Sequence, residues 1–260
     1  MSEYPAVPEI AQPVGYPGAT WAFYQARTSG IRLRIPSWGM GDVLISLLGT
    51  LTFAAVVSLL LVASHVDPEH GWGLIVAFTS PWVFLAGWPI VATKFKGNGA
   101  AIDFGLVVHA PHIRLGVVAG LASLGLASVA AFLTVQVFGP ISSSAGDVAK
   151  EQHGITLVLF ALFALIGAPL VEEIAFRGML FGALTKSSFT PLVASLISAG
   201  VFALFHFEPK RFFVLFVIGA VLGEARRRSG STLTSVVAHM VNNAPAVVSL
   251  LGVQITLIGH

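Results

Sequence analysis

The chain has 260 residues, a mean hydropathy of +0.86 and only 10% charged side chains. An ordinary soluble domain carries about 25% charged residues, so a water-soluble fold of this size would lack the polar surface to stay dispersed. A net charge of +2 is too small to imply nucleic-acid binding, and the lack of cysteine excludes disulfides, thiolate metal sites and a cysteine nucleophile.

Taken in chain order, residues 1–36 read as a flexible Pro-rich tail. Pro5, Pro8, Pro13 and Pro17 are spaced by polar residues, with no apolar core of a secretory signal. Residues 37–260 read as one membrane domain. A spanning helix needs about 20 mostly apolar residues. Val43 to Ser64 is the first such run and Gly71 to Thr93 the second. A third lies within Leu115 to Gly146 and ends near Gly139-Pro140. The fourth begins near Ile155 and runs through Val171 into a polar cluster. Pro191 to about Phe207 is the fifth, Phe212 to Gly223 a short sixth, and Ser231 toward Ile258 the last. The expected fold is therefore all-α: a polytopic transmembrane helical bundle of about seven spans, within a range of six to eight.

Basic residues in the short connections orient such a bundle. Arg27, Arg32 and Arg34 precede the first span, Lys94 and Lys96 follow the second, and Arg226, Arg227 and Arg228 follow the sixth. The Asp67-Pro68-Glu69 loop after the first span is acidic. Together these predict a cytoplasmic N-terminus. Lys210 and Arg211 fall on the opposite side in this scheme, which points to a recessed segment Glu208 to Arg211 bordering a cavity. The stretch Ile102 to Arg114 is compatible with an interfacial or a re-entrant element. No internal repeat supports an inverted-repeat transporter.

Charges inside spanning segments are costly and point to function. The densest set is Glu172-Glu173-Ile174-Ala175-Phe176-Arg177. Glu173 and Arg177 are four apart on one helical face and can neutralise each other. Glu172 is left as the unpaired carboxylate, and a carboxylate out of water holds its proton in the range useful to a general acid or base. In the fifth span, Phe202 lies one turn from His206 on the same face. With a hairpin turn near Phe189, Glu172 and His206 are equally far from the turn and face each other. In the last span, His239 and Asn243 project from one face, with Asn242 a neighbouring alternative. Each feature also has a purely structural explanation: an ion pair locking two helices, a core histidine, an asparagine bonding a neighbouring helix.

Glu-Glu-x-x-x-Arg, then Phe-x-x-x-His, then His-x-x-x-Asn, in this order, resembles the CPBP family of intramembrane proteases, which includes CAAX prenyl proteases and Abi proteins. The resemblance covers roughly Leu157 to Pro245, within a motif-bearing core of about 155–258. It implies an endopeptidase acting on a membrane-associated peptide or protein, with membrane lipid and that substrate as its partners and no nucleic acid. In that reading Glu172 and His206 activate water, His239 and Asn243 stabilise the oxyanion, and Glu173, Arg177 and Phe202 support the site. The family is often labelled metalloprotease, and Glu172, His206 and His239 would be the zinc ligands if a metal is bound. The chain lacks a His-Glu-x-x-His helix, and metal-free activation is favoured because His239 and Asn243 suit oxyanion donors. The Gly-x-Ser-x-Gly elbow of a serine hydrolase is also missing. The compact chain and its Pro-rich tail, rather than the resemblance, point to a bacterial plasma membrane. The alternatives are a non-catalytic scaffold or bacteriocin-immunity-type protein on the same fold, and a proton-coupled transporter.

Overall fold

The computed structural model describes residues 21–258, and among these there is no strand. Five helices are long and apolar enough to cross a membrane: α2 (Met40–Ala63), α3 (Gly71–Lys96), α5 (Ala110–Phe138), α7 (Gly154–Lys186) and the Thr232–Gly252 part of α10 (Thr232–Ile258). Two shorter helices complete the expected set of seven, α8 (Pro191–Phe205) and α9 (Phe212–Ser229). The chain is an all-α integral membrane protein. Its exposed residues fit that solvent: Leu59, Val62, Val118, Phe132 and Leu192 all stand outward on the spans.

Three short helices lie between the spans: α1 (Trp21–Thr28), α4 (Ala100–Asp103) and α6 (Ser144–Lys150). Residues 1–20 of the expected tail lie outside the described residues. The rest of it is built onto the bundle. Ala22, Phe23 and Ala26 of α1 are buried, and Asn98 bonds both the N–H and the carbonyl of Arg34, at 3.0 and 2.9 Å. Trp38 is fully buried and donates to Asp103 Oδ2 at 2.8 Å. Of the ambiguous stretch 102–114, only residues 104–109 are non-helical.

Helix boundaries follow local chemistry. α8 starts at Pro191, behind Thr190 whose hydroxyl accepts from the Val193 N–H. α5 stops at Gly139, which takes a φ of +74° and precedes Pro140. α9 stops at the left-handed Gly230.

Two spans contain wide π turns, and proline explains them. In α7 the Ala168 N–H reaches back to the Phe163 carbonyl, and Pro169 has no N–H. The Ala164 carbonyl is thereby left without a donor from its own helix. In α3 the same happens at Trp88, Val83 and Pro89, leaving the Phe84 carbonyl free. Each orphan is filled from another helix. Asn243 Nδ2 donates to Ala164 at 3.0 Å, and Ser46 Oγ donates to Phe84 at 3.0 Å. A third π turn, Ile174–Leu180, directly follows the glutamate pair, and all seven of its residues are buried.

Without a hydrophobic drive between helices in lipid, close packing depends on small residues. α5 lies against α10 through Gly116 and Gly120. A Cβ on Gly120 would sit 2.5 Å from Val241 Cβ and 2.7 Å from the Ala238 carbonyl oxygen. α9 lies against α8 through Gly219 and Gly223, which face Ala199 and Ser195. α7 is central, in contact with α2, α3, α8 and α10. Gly120→Leu must push α10 away from α5, carrying His239 with it. We expect a loss of about 1–3 kcal/mol, measured as a lowered unfolding midpoint in detergent, and no change for Leu at the open Gly125.

Candidate active site

The polar residues of three helices converge beside the π turn of α7. Glu173 is completely buried, and its Oε1 accepts two hydrogen bonds, from Arg177 Nη1 at 2.8 Å and from His239 Nδ1 at 3.0 Å. Arg177, also completely buried, extends the network. Its Nη2 donates to the Gly219 carbonyl on α9 at 2.8 Å, and its guanidinium lies 4.6 Å over the Phe202 ring of α8. Four helices are thus tied through one ion pair. Gly219 leaves room here, since a Cβ would lie 3.2 Å from Arg177 Nη2 and 3.1 Å from Ala199.

The network sets the histidine tautomers. Glu173 is acceptor-only while it pairs with Arg177, so the proton between it and His239 sits on Nδ1. His239 Nε2 then points the other way, to Glu172 Oε2 at 4.0 Å. His206 follows the same logic. It caps the C-terminus of α8, and its Nδ1 bonds the Phe202 carbonyl at 2.8 Å, so Nδ1 donates and Nε2 keeps its lone pair. Phe202 is the common wall: its ring centroid is 4.6 Å from that of His206 and 5.8 Å from that of His239.

Glu172 differs from its neighbour. Its side chain is 22% exposed, against 0% for Glu173. Its nearest polar contact among the described residues is His239 Nε2, at 4.0 Å, and the Arg177 charge acts on it from further away. The two asparagines also part company. Asn242 turns to α5, where it accepts from Ser123 Oγ at 2.9 Å, whereas Asn243 turns to α7 and the Ala164 carbonyl. One of the two Nδ2 hydrogens of Asn243 is used in that bond and the other is not consumed by it.

Residues 154–245 match the family model described as "Type II CAAX prenyl endopeptidase Rce1-like". The segment that carries the motifs is similar to that family. The match contains every residue of the site described above, from Ala164 to Asn243. No curated protein and no solved structure matches the chain.

A zinc ion at this site would need at least three protein ligands. Among the described residues no group of three or more histidine, aspartate and glutamate side chains is gathered closely enough to hold one. Glu172, His206 and His239 therefore do not fit a three-ligand zinc site in this arrangement, and no reaction step is derived through a metal. Several site-building groups carry little signal in a sequence: the Ala164 carbonyl, Gly219, and Ser198, which donates to the Phe176 carbonyl at 2.8 Å. Pro169 within an apolar span was the available clue to the first.

The segment Glu208 to Arg211 forms a 3-10 turn (Pro209–Arg211) at the end of α8. Arg211 pairs with Glu208, whose other oxygen accepts from the Ser144 N–H at 2.7 Å. α8 has 15 residues against 33 in α7. At about 1.5 Å per residue, His206 and this turn lie part-way along α7 rather than beyond its end.

Proposed function

We propose that the chain is an intramembrane endopeptidase that cleaves a membrane-associated peptide or membrane-protein tail with water activated by Glu172 and His206. The observation that carries this reading is the division of labour between adjacent glutamates. Glu173 is consumed by Arg177 and His239, and Glu172 faces the same imidazole only at 4.0 Å, with no hydrogen bond among the described residues.

The chemistry follows from the available atoms. Glu172 takes a proton from water as the water oxygen attacks the peptide carbonyl carbon, with the His206 Nε2 lone pair accepting the second water hydrogen as a hydrogen bond. The carbonyl oxygen becomes an oxyanion. The unspent N–H of Asn243, and His239 Nε2 when it carries a proton, donate to that charge. The proton held by Glu172 passes to the leaving nitrogen as the carbon–nitrogen bond breaks. Glu173 and Arg177 hold His239, and Phe202 spaces the two imidazoles. The proposed setting is a bacterial plasma membrane, with residues 37–260 as the membrane unit and the N-terminus cytoplasmic.

The test compares membrane peptides from cells carrying wild type and Glu172→Ala. Peptides or trimmed tails that are present with wild type and lost with a stably inserted Glu172→Ala protein support the reading. Identical products, together with a retained phenotype, would instead mean a non-catalytic scaffold.

A further inference from the structure

Asn243 is held by a chain of side-chain hydrogen bonds that crosses three helices. Its Nδ2 donates to the Ala164 carbonyl of α7 at 3.0 Å. Its Oδ1 accepts from Asn242 Nδ2 at 3.4 Å, and Asn242 Oδ1 accepts from Ser123 Oγ of α5 at 2.9 Å. Ser123 is completely buried. Glycine makes the approach that lets so short a side chain reach across. Gly116 and Gly120 of α5 lie against the Thr234 and Ala238 carbonyls of α10, and Ser123 meets Asn242 at the next turn.

The chain has one direction. A carboxamide can be turned over, exchanging its oxygen for its NH2, and only its partners decide between the two. The Ala164 carbonyl can only accept. Asn243 must therefore present its NH2 there, which turns its oxygen to Asn242. Asn242 must in turn present its own NH2, which leaves its oxygen for the Ser123 hydroxyl. Turning over either amide would set two carbonyl oxygens against each other. A donor at the oxygen of an amide also polarises it, and so strengthens its N–H groups as donors.

We propose that Ser123 and Asn242 are positioning residues for peptide cleavage. They lock the amide plane of Asn243 and so aim the N–H that Ala164 does not use. The role rests on reading Asn243 as an oxyanion donor, whereas the hydrogen-bond chain does not. The same contacts could serve only as a polar clamp between α5 and α10, which would move stability and leave kcat alone.

The test uses the full chain in detergent, and its first arm needs no substrate. The chain has three asparagines, Asn98, Asn242 and Asn243. Asparagine labelled with heavy nitrogen therefore gives three side-chain NH2 pairs by NMR, assigned with Asn98→Ala and Asn243→Ala. Ser123 bonds Asn242, so an effect of Ser123→Ala on Asn243 has to pass through Asn242. The Asn243 pair is expected to shift or broaden in Ser123→Ala and to return toward its wild-type position in Ser123→Thr, which keeps the hydroxyl. An Asn243 pair unmoved by Ser123→Ala overturns the proposal.

The second arm follows cleavage of the membrane peptide whose product appears with wild type and not with Glu172→Ala. Ser123→Ala and Asn242→Leu should each lower kcat about tenfold at nearly unchanged KM, short of the roughly hundredfold expected from removing an oxyanion donor outright. The double variant should lose no more than Asn242→Leu alone, because the two residues act in series. Ser123→Thr should recover most of the kcat lost in Ser123→Ala. Lowered unfolding midpoints with wild-type kcat would make the pair a clamp and overturn the proposal, as would a change confined to KM. No cleavage by wild type would overturn the proteolytic reading and this role with it, whereas a still Asn243 pair in the first arm overturns the role alone.

Discussion

If the proposed mechanism holds, Glu172→Gln and His206→Ala are each expected to lower the turnover of purified protein by at least about two orders of magnitude, and the double variant to lose little beyond the worse single one. Non-additivity is the informative part. If both groups handle the protons of one water molecule, removing either disables the same step, and the second removal has little left to take. Glu172→Gln keeps the size and the hydrogen-bonding capacity of a partly exposed side chain, so its effect on folding should be small. The check is a cleavage assay in detergent, with unfolding midpoints measured in parallel. Losses that multiply in the double variant would separate Glu172 and His206 into different steps and overturn the shared role.

Arg177→Met is expected to cost about 3–5 kcal/mol of stability, because it strands the charge of Glu173 inside the bundle. The arginine meets Glu173, the Gly219 carbonyl and the Phe202 ring with no exposure to solvent. Glu173→Gln/Arg177→Met should be less destabilised than Arg177→Met alone, since the charge and its partner leave together. Arg177→Lys keeps the charge without the planar fork that reaches Glu173 and Gly219 at once, and should fall between. Unfolding midpoints of the four proteins in one detergent measure this. A double variant worse than Arg177→Met would mean that packing, not charge, dominates. Because Glu173 also orients His239, the same variants should lose activity even where they fold.

The motif residues were legible in the sequence for a simple reason. In an apolar chain, charges are rare enough that Glu172, Glu173, Arg177, His206 and His239 stand out, and a spacing of four places residues on one helical face. Seven apolar runs likewise specified seven helices, since only helices close all their backbone hydrogen bonds within one lipid-exposed segment. The tail reading was less complete, because the packing of Phe23 and Arg34 depends on partners at Asn98 and beyond that no local pattern encodes. The choice between Asn242 and Asn243 was equally out of reach. Both are polar, adjacent and on a helix, and only their neighbours on α5 and α7 separate them.

By itself, the sequence determined that this is a helical membrane protein whose second half carries an ordered set of acid, imidazole and amide groups. Only the tertiary structure decided what each group does with its hydrogen bonds. It assigned Glu173 to Arg177 and His239, turned both imidazoles so that Nε2 is the outward nitrogen, and tied Asn243 to a carbonyl released by Pro169. It also ran a chain of donors from Ser123 through Asn242 to that amide. The physical reason is that periodicity specifies a face, whereas a hydrogen bond needs a partner at about 3 Å, and in a bundle that partner comes from a helix distant in the chain.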